Sequence, residues 1–396
     1  MSSILSPGPR AVTVPEAQGP QAEVHAPGLG IGATGVNSVD CMTSSASPSP
    51  SPALPTHLTA AVMTAPATVE MRDVALPEIG PQQVLVALEK CGLCTMERRL
   101  FRGERQIYPV AAGHEAAGTI VAHGEKVANL PGVPAIGQRV AVDMLSRNRA
   151  SRTSRRARTA LDLAPQEATL TDGTIAMGGG LATYMVADAA SVWPTGDAPA
   201  QVAAMTEPLA CVSNSVRLSG IRPGDRVAIT GAGFMGRLHL ILARLAGASS
   251  IGVIDVDRER LQEARDAGAT WVATPDDLAP YAHDQDVVFV TAGVPGALEQ
   301  ALELVAIAGS VVLFGAFPKD LTARVSPDEI HHHGLSIIGV YSQEPEDWQR
   351  ASSLIGAGVV TAELQALVTA DYPLAEAYEA LDFAAHNPVM RVLVGG

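Results

Sequence analysis

Two cysteines three residues apart, Cys91 and Cys94 in "CGLC", can be a redox pair, half of a metal site, or two thiols with no shared task. Twenty residues past Cys94, "AAGHEAAG" sets His114 and Glu115 between glycines at the start of a predicted strand. A thiolate, an imidazole and a carboxylate from separate elements are the ligand types of a catalytic zinc, which keeps one position open for substrate. Glu207, in "MTEPLAC", adds a carboxylate where a predicted helix begins, with Pro208 in its first turn. The same carboxylate could merely favour the helix N-terminus. A redox pair fits this CxxC poorly, because such pairs open the helix of a thioredoxin-like βαβ unit and this one follows strand-like sequence.

A second group handles phosphate. The run "DRVAIT" leads straight into "GAGFMG", so Gly231, Gly233 and Gly236 take the GxGxxG positions, with Phe234 and Met235 between the last two. Gly231 makes the tight turn, Gly233 lets backbone approach a pyrophosphate, and Gly236 lets the helix pack on the strand. The first amides of that helix, at its positive dipole end, then hold the phosphates. The next strand ends at Asp255, 19 residues beyond Gly236, where a carboxylate accepts from the ribose hydroxyls and repels a 2′-phosphate. That predicts NAD in preference to NADP, a preference that Arg258 and Arg260 soften.

The elements that must position these groups come in two rhythms. From Leu58, short β-like runs ("TAAVMT", "QVLVALEKCG", "HEAAGTIVAHG", "QRVAVDM") separated by Gly and Pro turns suggest an all-β, barrel-like domain. From about residue 208, strands alternate with helices, as in a parallel doubly wound sheet, and its last strand closes at Val340 and Tyr341. Residues 342–396 read as a helix-rich return and a closing strand, "MRVLVGG". Residues 1–57, with Arg10 as the only Lys or Arg and a "SSASPSPSPALP" run, read as a disordered tail. The expected division is therefore 1–57, 58–207, 208–341 and 342–396.

A chain of 396 residues suits two cores. With a net charge of −14, it offers no basic face for nucleic acid or an anionic membrane. No window approaches the roughly 18 uncharged apolar residues of a membrane span, and no signal core opens the chain, so the expectation is cytoplasmic. Four cysteines (Cys41, Cys91, Cys94 and Cys211) are too few for a disulfide scaffold in a chain this size.

With "CGLC", "GHEAAG", "EPLA" and "GAGFMG" in this order, residues 58–396 resemble the medium-chain dehydrogenase/reductase superfamily, most of all its zinc-dependent polyol and threonine dehydrogenase branch. The resemblance implies an α/β architecture: a GroES-like β-barrel catalytic domain built from two chain segments, plus a Rossmann doubly wound parallel-sheet domain for the cofactor. Zinc would lie in the cleft between them. On the family pattern Cys94 binds zinc beside His114, with Glu115 and Glu207 as direct or exchangeable ligands, and Cys91 is a buried neighbour. Val340 and Tyr341 lie where relatives contact the nicotinamide half. The implied reaction passes a hydride between NAD(H) and a secondary alcohol or ketone, a polyol, cyclitol or similar, with zinc as the Lewis acid that lowers the alcohol's pKa. Relatives assemble as homodimers or homotetramers.

The sequence also departs from that pattern. Relatives carry Gly-Ser-Asp or similar after the ligand cysteine, and the hydroxyl relays the substrate's proton; here Thr95, Met96 and Glu97 follow, and Met96 carries no proton. Thr95 or Glu97 takes over, or Glu115 does with a zinc-bound water, or the reaction needs no relay. The last option would suit a reductase of activated C=C or C=N bonds. A non-catalytic dinucleotide-binding protein is the alternative of another class, and the intact "GHE" speaks against it. Many relatives hold a structural zinc on four cysteines, but residues 145–180 contain none, which leaves one catalytic zinc. Six arginines between 147 and 158 stand there instead and read as a solvated lobe, with an anionic-substrate patch as the alternative. "HHH" at 331–333 lacks accompanying thiols or paired carboxylates and reads as non-ligating, and Cys211 reads as core.

Overall fold

The computed structural model describes residues 54–127, 130–145, 147, 151–156, 158–161 and 169–395. The expected tail lies outside these residues except for 54–57, and so does Cys41.

Runs of β-branched and small apolar residues make the first part of the described chain a series of strands. These are β1 (His57–Ala65), β2 (Thr68–Ala75), β3 (Gln83–Gly92), β4 (Val110–Ala111), β5 (Glu115–His123), β6 (Arg139–Val142), β7 (Ile175–Ala176), β8 (Tyr184–Asp188) and β9 (Val192–Pro194). An α-helix, α1 (Thr95–Phe101), interrupts them immediately after the CxxC, and short 3-10 turns follow later.

Helices α2 (Ala200–Ala203) and α3 (Thr206–Ser219) lead into the alternating part: β10 (Arg226–Thr230), α4 (Phe234–Leu245), β11 (Ser250–Ile254), α5 (Arg258–Asp266), β12 (Trp271–Ala273), β13 (Gln285–Val290), α6 (Ala297–Leu304), β14 (Val305–Leu313), α7 (Pro327–His333) and β15 (Ser336–Gly339). The return comprises α8 (Pro345–Gly356), α9 (Thr361–Gln365), β16 (Val368–Tyr372), α10 (Ala377–His386) and β17 (Arg391–Val394).

The alternating strands form one six-stranded sheet in the order β12-β11-β10-β13-β14-β15, and every pairing in it is parallel. Its central strands read as unbroken apolar runs because both faces are covered: Val227 and Ile229 pack into one cluster, and Ala228 and Val288 into the opposite one. The early strands build two further sheets, β2-β1-β4-β7 and β16-β17-β3-β5-β6-β9, with β8 also pairing β3. In the second of these, strands from the two ends of the described chain meet. Gly92 on β3 lies opposite Glu115 on β5 and opposite Leu393 on β17. That register brings the end of the CxxC strand, the "GHE" strand and the final strand together at one place.

Helix α3 packs against α4 and α8 through Leu209, Val212, Leu238 and Trp348. Between α3 and α4, the fully buried His239 has Nδ1 2.8 Å from the Met235 carbonyl oxygen and Nε2 2.9 Å from Ser215 Oγ. A carbonyl only accepts, so Nδ1 carries the proton and Nε2 accepts from the serine hydroxyl. Phe289 and Phe314 complete the enclosure, with ring centroids 4.8 and 4.7 Å from the imidazole. No described helix is long and apolar enough to cross a membrane.

Burial pushes the His239 pKa down to about 4 from 6.5. The unfolded chain therefore binds the proton more readily, so stability is fully present above pH 6.5 and is lost as pH falls from there towards 4. Urea unfolding should show this group costing about 2 kcal/mol of stability between pH 7.5 and pH 5. A His239→Leu variant should lack that part of the decline; an equal decline in the variant would show that His239 is not its source.

Candidate active site

Helix α1 starts at Cys94, and its third residue supplies the site's first anchor. Glu97 Oε2 accepts the Cys94 backbone N–H at 3.0 Å, the reach-back of a capping box. Its Oε1 accepts the Gly113 N–H at 3.2 Å and lies 2.9 Å from His114 Nδ1. Glu97 is wholly buried, so one carboxylate fixes both the turn carrying Cys94 and the turn carrying His114. Facing a carboxylate, His114 Nδ1 takes the proton, which leaves Nε2 as the ligand nitrogen. Burial alone would raise the Glu97 carboxyl, but the charge and hydrogen bond of His114 and two backbone N–H groups hold it below the ordinary range. Burial would likewise lower His114, yet Glu97 and Cys94 raise it well above its usual value.

Two sets of donors share His114. Cys94, Glu97 and His114 form one, and His114, Glu115 and Glu207 the other; within each, one ligand atom per residue lies within 4.8 Å of the others. Glu207 sits in the first turn of α3, which delivers its carboxyl to the second set. Burial pushes that carboxyl up to about 7, opposed by His114 and reinforced by the like charge of Glu115. Glu115 is also raised by burial, against the pull of Arg391. Both Glu115 oxygens are buried without a hydrogen-bond donor, and the Arg391 Nη2 contact at 3.2 Å is an ion pair without hydrogen-bond alignment. A thiol, an imidazole and two poorly compensated buried carboxyls are a donor set that fits a zinc ion.

Small residues make room for it. A Cβ at Gly92 would stand 2.2 Å from Glu115 Oε2, so the glycine of CxxC leaves the space that carboxylate fills. Gly113 has φ +102°, and a Cβ there would lie 2.8 Å from Cys91 Sγ. Cys91 is thus a buried thiol packed against glycine backbone, and burial, with Glu97 and Glu115 nearby, drives its pKa far up.

The remaining candidates divide. Thr95 is exposed at the first position of α1, whereas Met96 packs on the barrel core with Arg105 Nη1 2.7 Å from its sulfur. Glu97, one expected alternative for the proton relay, has both oxygens committed in a closed environment and is placed as an anchor for His114 instead. Cys211, expected in the core, is half-buried beside the site: its thiol lies 3.4 Å from Glu207 Oε1 and 3.0 Å from Gln343 Oε1. His331, His332 and His333 end α7 and join neither donor set. Of the arginine-rich lobe, Arg152, Arg155 and Arg156 are exposed, but Arg147 is buried on Asp143 and donates to the Gln343 carbonyl at 3.2 Å. Arg149 lies outside the described residues.

The glycine turn is tightly built. Gly231 has φ +105°, and a Cβ on Gly236 would stand 1.8 Å from the Gly231 carbonyl oxygen, so α4 can approach β10 only with glycine there. Gly233 caps α4, followed by Phe234 and Met235. Asp255 Oδ2 accepts the Ala232 N–H at 2.7 Å and Oδ1 the Asp257 N–H at 3.0 Å, tying the turn to the end of β11. The Arg260 guanidinium lies 3.9 Å from where a Gly233 Cβ would be. Val340 continues β15 by donating to the Leu313 carbonyl at 3.0 Å, and Tyr341 is exposed.

Two arginines escape sequence reading. Arg391 on β17 is buried; Nη1 donates to the Leu93 carbonyl at 2.7 Å, Nη2 meets Glu115, and the guanidinium lies 3.7 Å above the Phe234 ring. Arg98 on α1 has a buried Nε with no partner. Neither belongs to a local motif, so only the tertiary fold reveals them.

Known proteins resemble this chain in sequence and fold. Residues 80–197 match the alcohol dehydrogenase GroES-like domain family, and residues 235–357 the zinc-binding dehydrogenase family. A Mycobacterium tuberculosis protein named as an alcohol dehydrogenase is 31% identical over 76% of this chain and 87% of its own. The sorbitol dehydrogenase of Bombyx mori is 27% identical over 85% of this chain and 97% of its own. A Sinorhizobium meliloti 1021 structure named as a zinc-binding dehydrogenase, bound to NADP, superposes with a TM-score of 0.76 at 29% identity, covering 86% of this chain and 99% of that one.

Replacing Glu97 by Gln keeps its shape but removes the charge that orients His114. Zinc affinity, measured by competition with a chelator, should fall about 10- to 100-fold, the usual cost of losing an outer-shell partner. Unchanged affinity would mean that the His114 orientation does not depend on this carboxylate.

Proposed function

The chain belongs to the zinc-dependent medium-chain dehydrogenase/reductase superfamily, in its polyol dehydrogenase-like branch, and on that premise we propose that it oxidises a secondary alcohol of the polyol or cyclitol class with NAD, using one catalytic zinc. It is an alcohol/polyol oxidoreductase that takes zinc and a nicotinamide dinucleotide. The observation that carries the finer reading is His114 shared between two donor sets, within one guanidinium of the helix that follows the glycine turn.

In this reading Cys94 and His114 hold the metal, with Glu115 or Glu207 completing the set and the other carboxyl available for exchange. Zinc, when bound, supplies Lewis acidity towards the substrate oxygen. Glu97 keeps the proton on His114 Nδ1 and so keeps Nε2 turned to the metal. Thr95 follows the ligand cysteine and is exposed, so it is the residue in this stretch assigned to pass the substrate's proton to solvent. Gly231, Gly233, Gly236, Phe234 and Met235 shape the cofactor turn. Asp255 supports NAD over NADP, with Arg258 and Arg260 tempering the preference, and Val340 and Tyr341 are assigned to the nicotinamide half.

Residues 58–207 and 342–396 then form the catalytic domain and 208–341 the cofactor domain. The free edge of β15, with Ile337 exposed, supports assembly as a homodimer or homotetramer. Free Cys91, Cys94 and Cys211 support a reducing, cytoplasmic setting.

A second reading rests on Met96, whose sulfur is taken up by Arg105 and which carries no proton: reduction of an activated C=C or C=N bond. Zinc per chain, measured by mass spectrometry, and oxidation of a panel of secondary alcohols with NAD and with NADP test the two together. One zinc, lost in Cys94→Ser, with NAD-linked alcohol oxidation is the expected result. Turnover confined to NADH-dependent C=C or C=N reduction would replace the first reading by the second.

A further inference from the structure

Helix α3 carries a thiol one turn beyond Glu207 and on the same face, because residues four apart on a helix stack over one another. Cys211 Sγ lies 3.4 Å from Glu207 Oε1, and among the described residues it is the one hydrogen-bond donor to that carboxyl. It also lies 3.0 Å from Gln343 Oε1. The sulfur joins neither donor set, so it stands behind the metal ligands rather than among them.

The Gln343 side chain is fixed by its surroundings. Ser342, in the left-handed region at φ +57°, has its carbonyl oxygen taken by Asn214 Nδ2 at 2.8 Å, one turn further along α3. Ser342 Oγ donates to Gln343 Oε1 at 2.6 Å, and Arg147 Nη2 donates to the Gln343 backbone carbonyl at 3.2 Å. The carboxamide is wholly buried, and its Nε2 has no acceptor among the described residues. An amide oxygen has two lone pairs, so Oε1 can take the serine proton and still compete for the thiol proton.

A thiol has one proton and gives it to one acceptor at a time. Donated to Glu207, it satisfies part of a carboxyl that has no other donor and occupies a lone pair a cation would use. Donated to Gln343, it leaves that lone pair bare, and a poorly solvated carboxylate gains more from a cation. The S–H group is a weak donor, so neither acceptor holds it strongly.

We propose that Cys211 is a positioning residue for Glu207: its thiol proton, shared with the Gln343 carboxamide, sets how readily that carboxylate joins the metal. The inference rests on the zinc reading of the two donor sets and deepens it. Neither Cys211 nor Gln343 is a ligand in this scheme, and both act through Glu207.

The test measures zinc dissociation constants by chelator competition on the full-length protein, with thermal unfolding as a control. Wild type, Cys211→Ala, Cys211→Ser and Gln343→Leu are compared, each also combined with Glu207→Gln. Cys211→Ala strips the carboxylate of its donor and should tighten zinc about tenfold, the lower end of what outer-shell partners contribute. Cys211→Ser restores a donor and should return the affinity to within about threefold of wild type. Gln343→Leu removes the competing acceptor and should weaken zinc, a shift of opposite sign. In the Glu207→Gln background all of these shifts should vanish, because the group they act through is gone. Wild-type affinity in Cys211→Ala, or the same shift with Glu207 already replaced, would overturn the assignment while the zinc reading stands. A wild-type protein that takes up no zinc would overturn that reading and the assignment with it.

Discussion

The hydrogen bond between the Glu97 carboxylate and His114 Nδ1 is the contact on which the site's geometry hangs. One buried group receives the N–H groups of Cys94 and Gly113 and faces the imidazole, so the positions of thiol and imidazole are set together. Burying a carboxylate is unfavourable unless its oxygens are satisfied, and here every partner is supplied by the two turns it joins. Glu115 is its opposite: equally buried, with both oxygens left without donors. The first carboxylate builds the site, and the second waits for a cation.

Much of this was legible in the sequence because the chemistry lies at element ends, where residue type is least disguised by packing. The parallel sheet followed from "DRVAIT" running into "GAGFMG", since a strand, glycines at fixed offsets and a helix leave few other solutions. His114, Glu115 and Glu207 could be nominated because imidazole and carboxylate are zinc-donor types, and the resemblance to zinc-dependent dehydrogenases implied Cys94 as the thiolate. Glu97 was harder. A capping box normally announces itself by Ser or Thr at the cap, and here the cap is Cys94, so its glutamate read as a candidate proton relay in a departed motif.

Other features were out of reach for a reason common to them: their meaning lies in partners hundreds of residues away. Arg391 looks like an ordinary strand residue until β17 pairs with β3 and sets it between Leu93, Glu115 and Phe234. Cys211 passed for core because a helix period cannot show that its thiol meets Gln343, 132 positions further along the chain. Arg147 passed for one of a solvated run, yet it is buried on Asp143 while Arg152, Arg155 and Arg156 face solvent. Composition described the lobe as a whole and could not single out the arginine that pins it.

The pairing of β3 with β17 also constrains how the chain reaches this structure. Gly92 and Leu393 are neighbours across a strand boundary although 301 positions separate them, the difference of their numbers. In an unfolded chain, closing so large a loop is entropically unfavourable, and the cost grows with the logarithm of its length. The six parallel strands lie within that loop, between Arg226 and Gly339, so forming them shortens the flexible chain that the β3–β17 pairing has to close. Pairing between near neighbours within the parallel sheet thereby lowers the entropic cost of bringing the two distant strands of the metal site together.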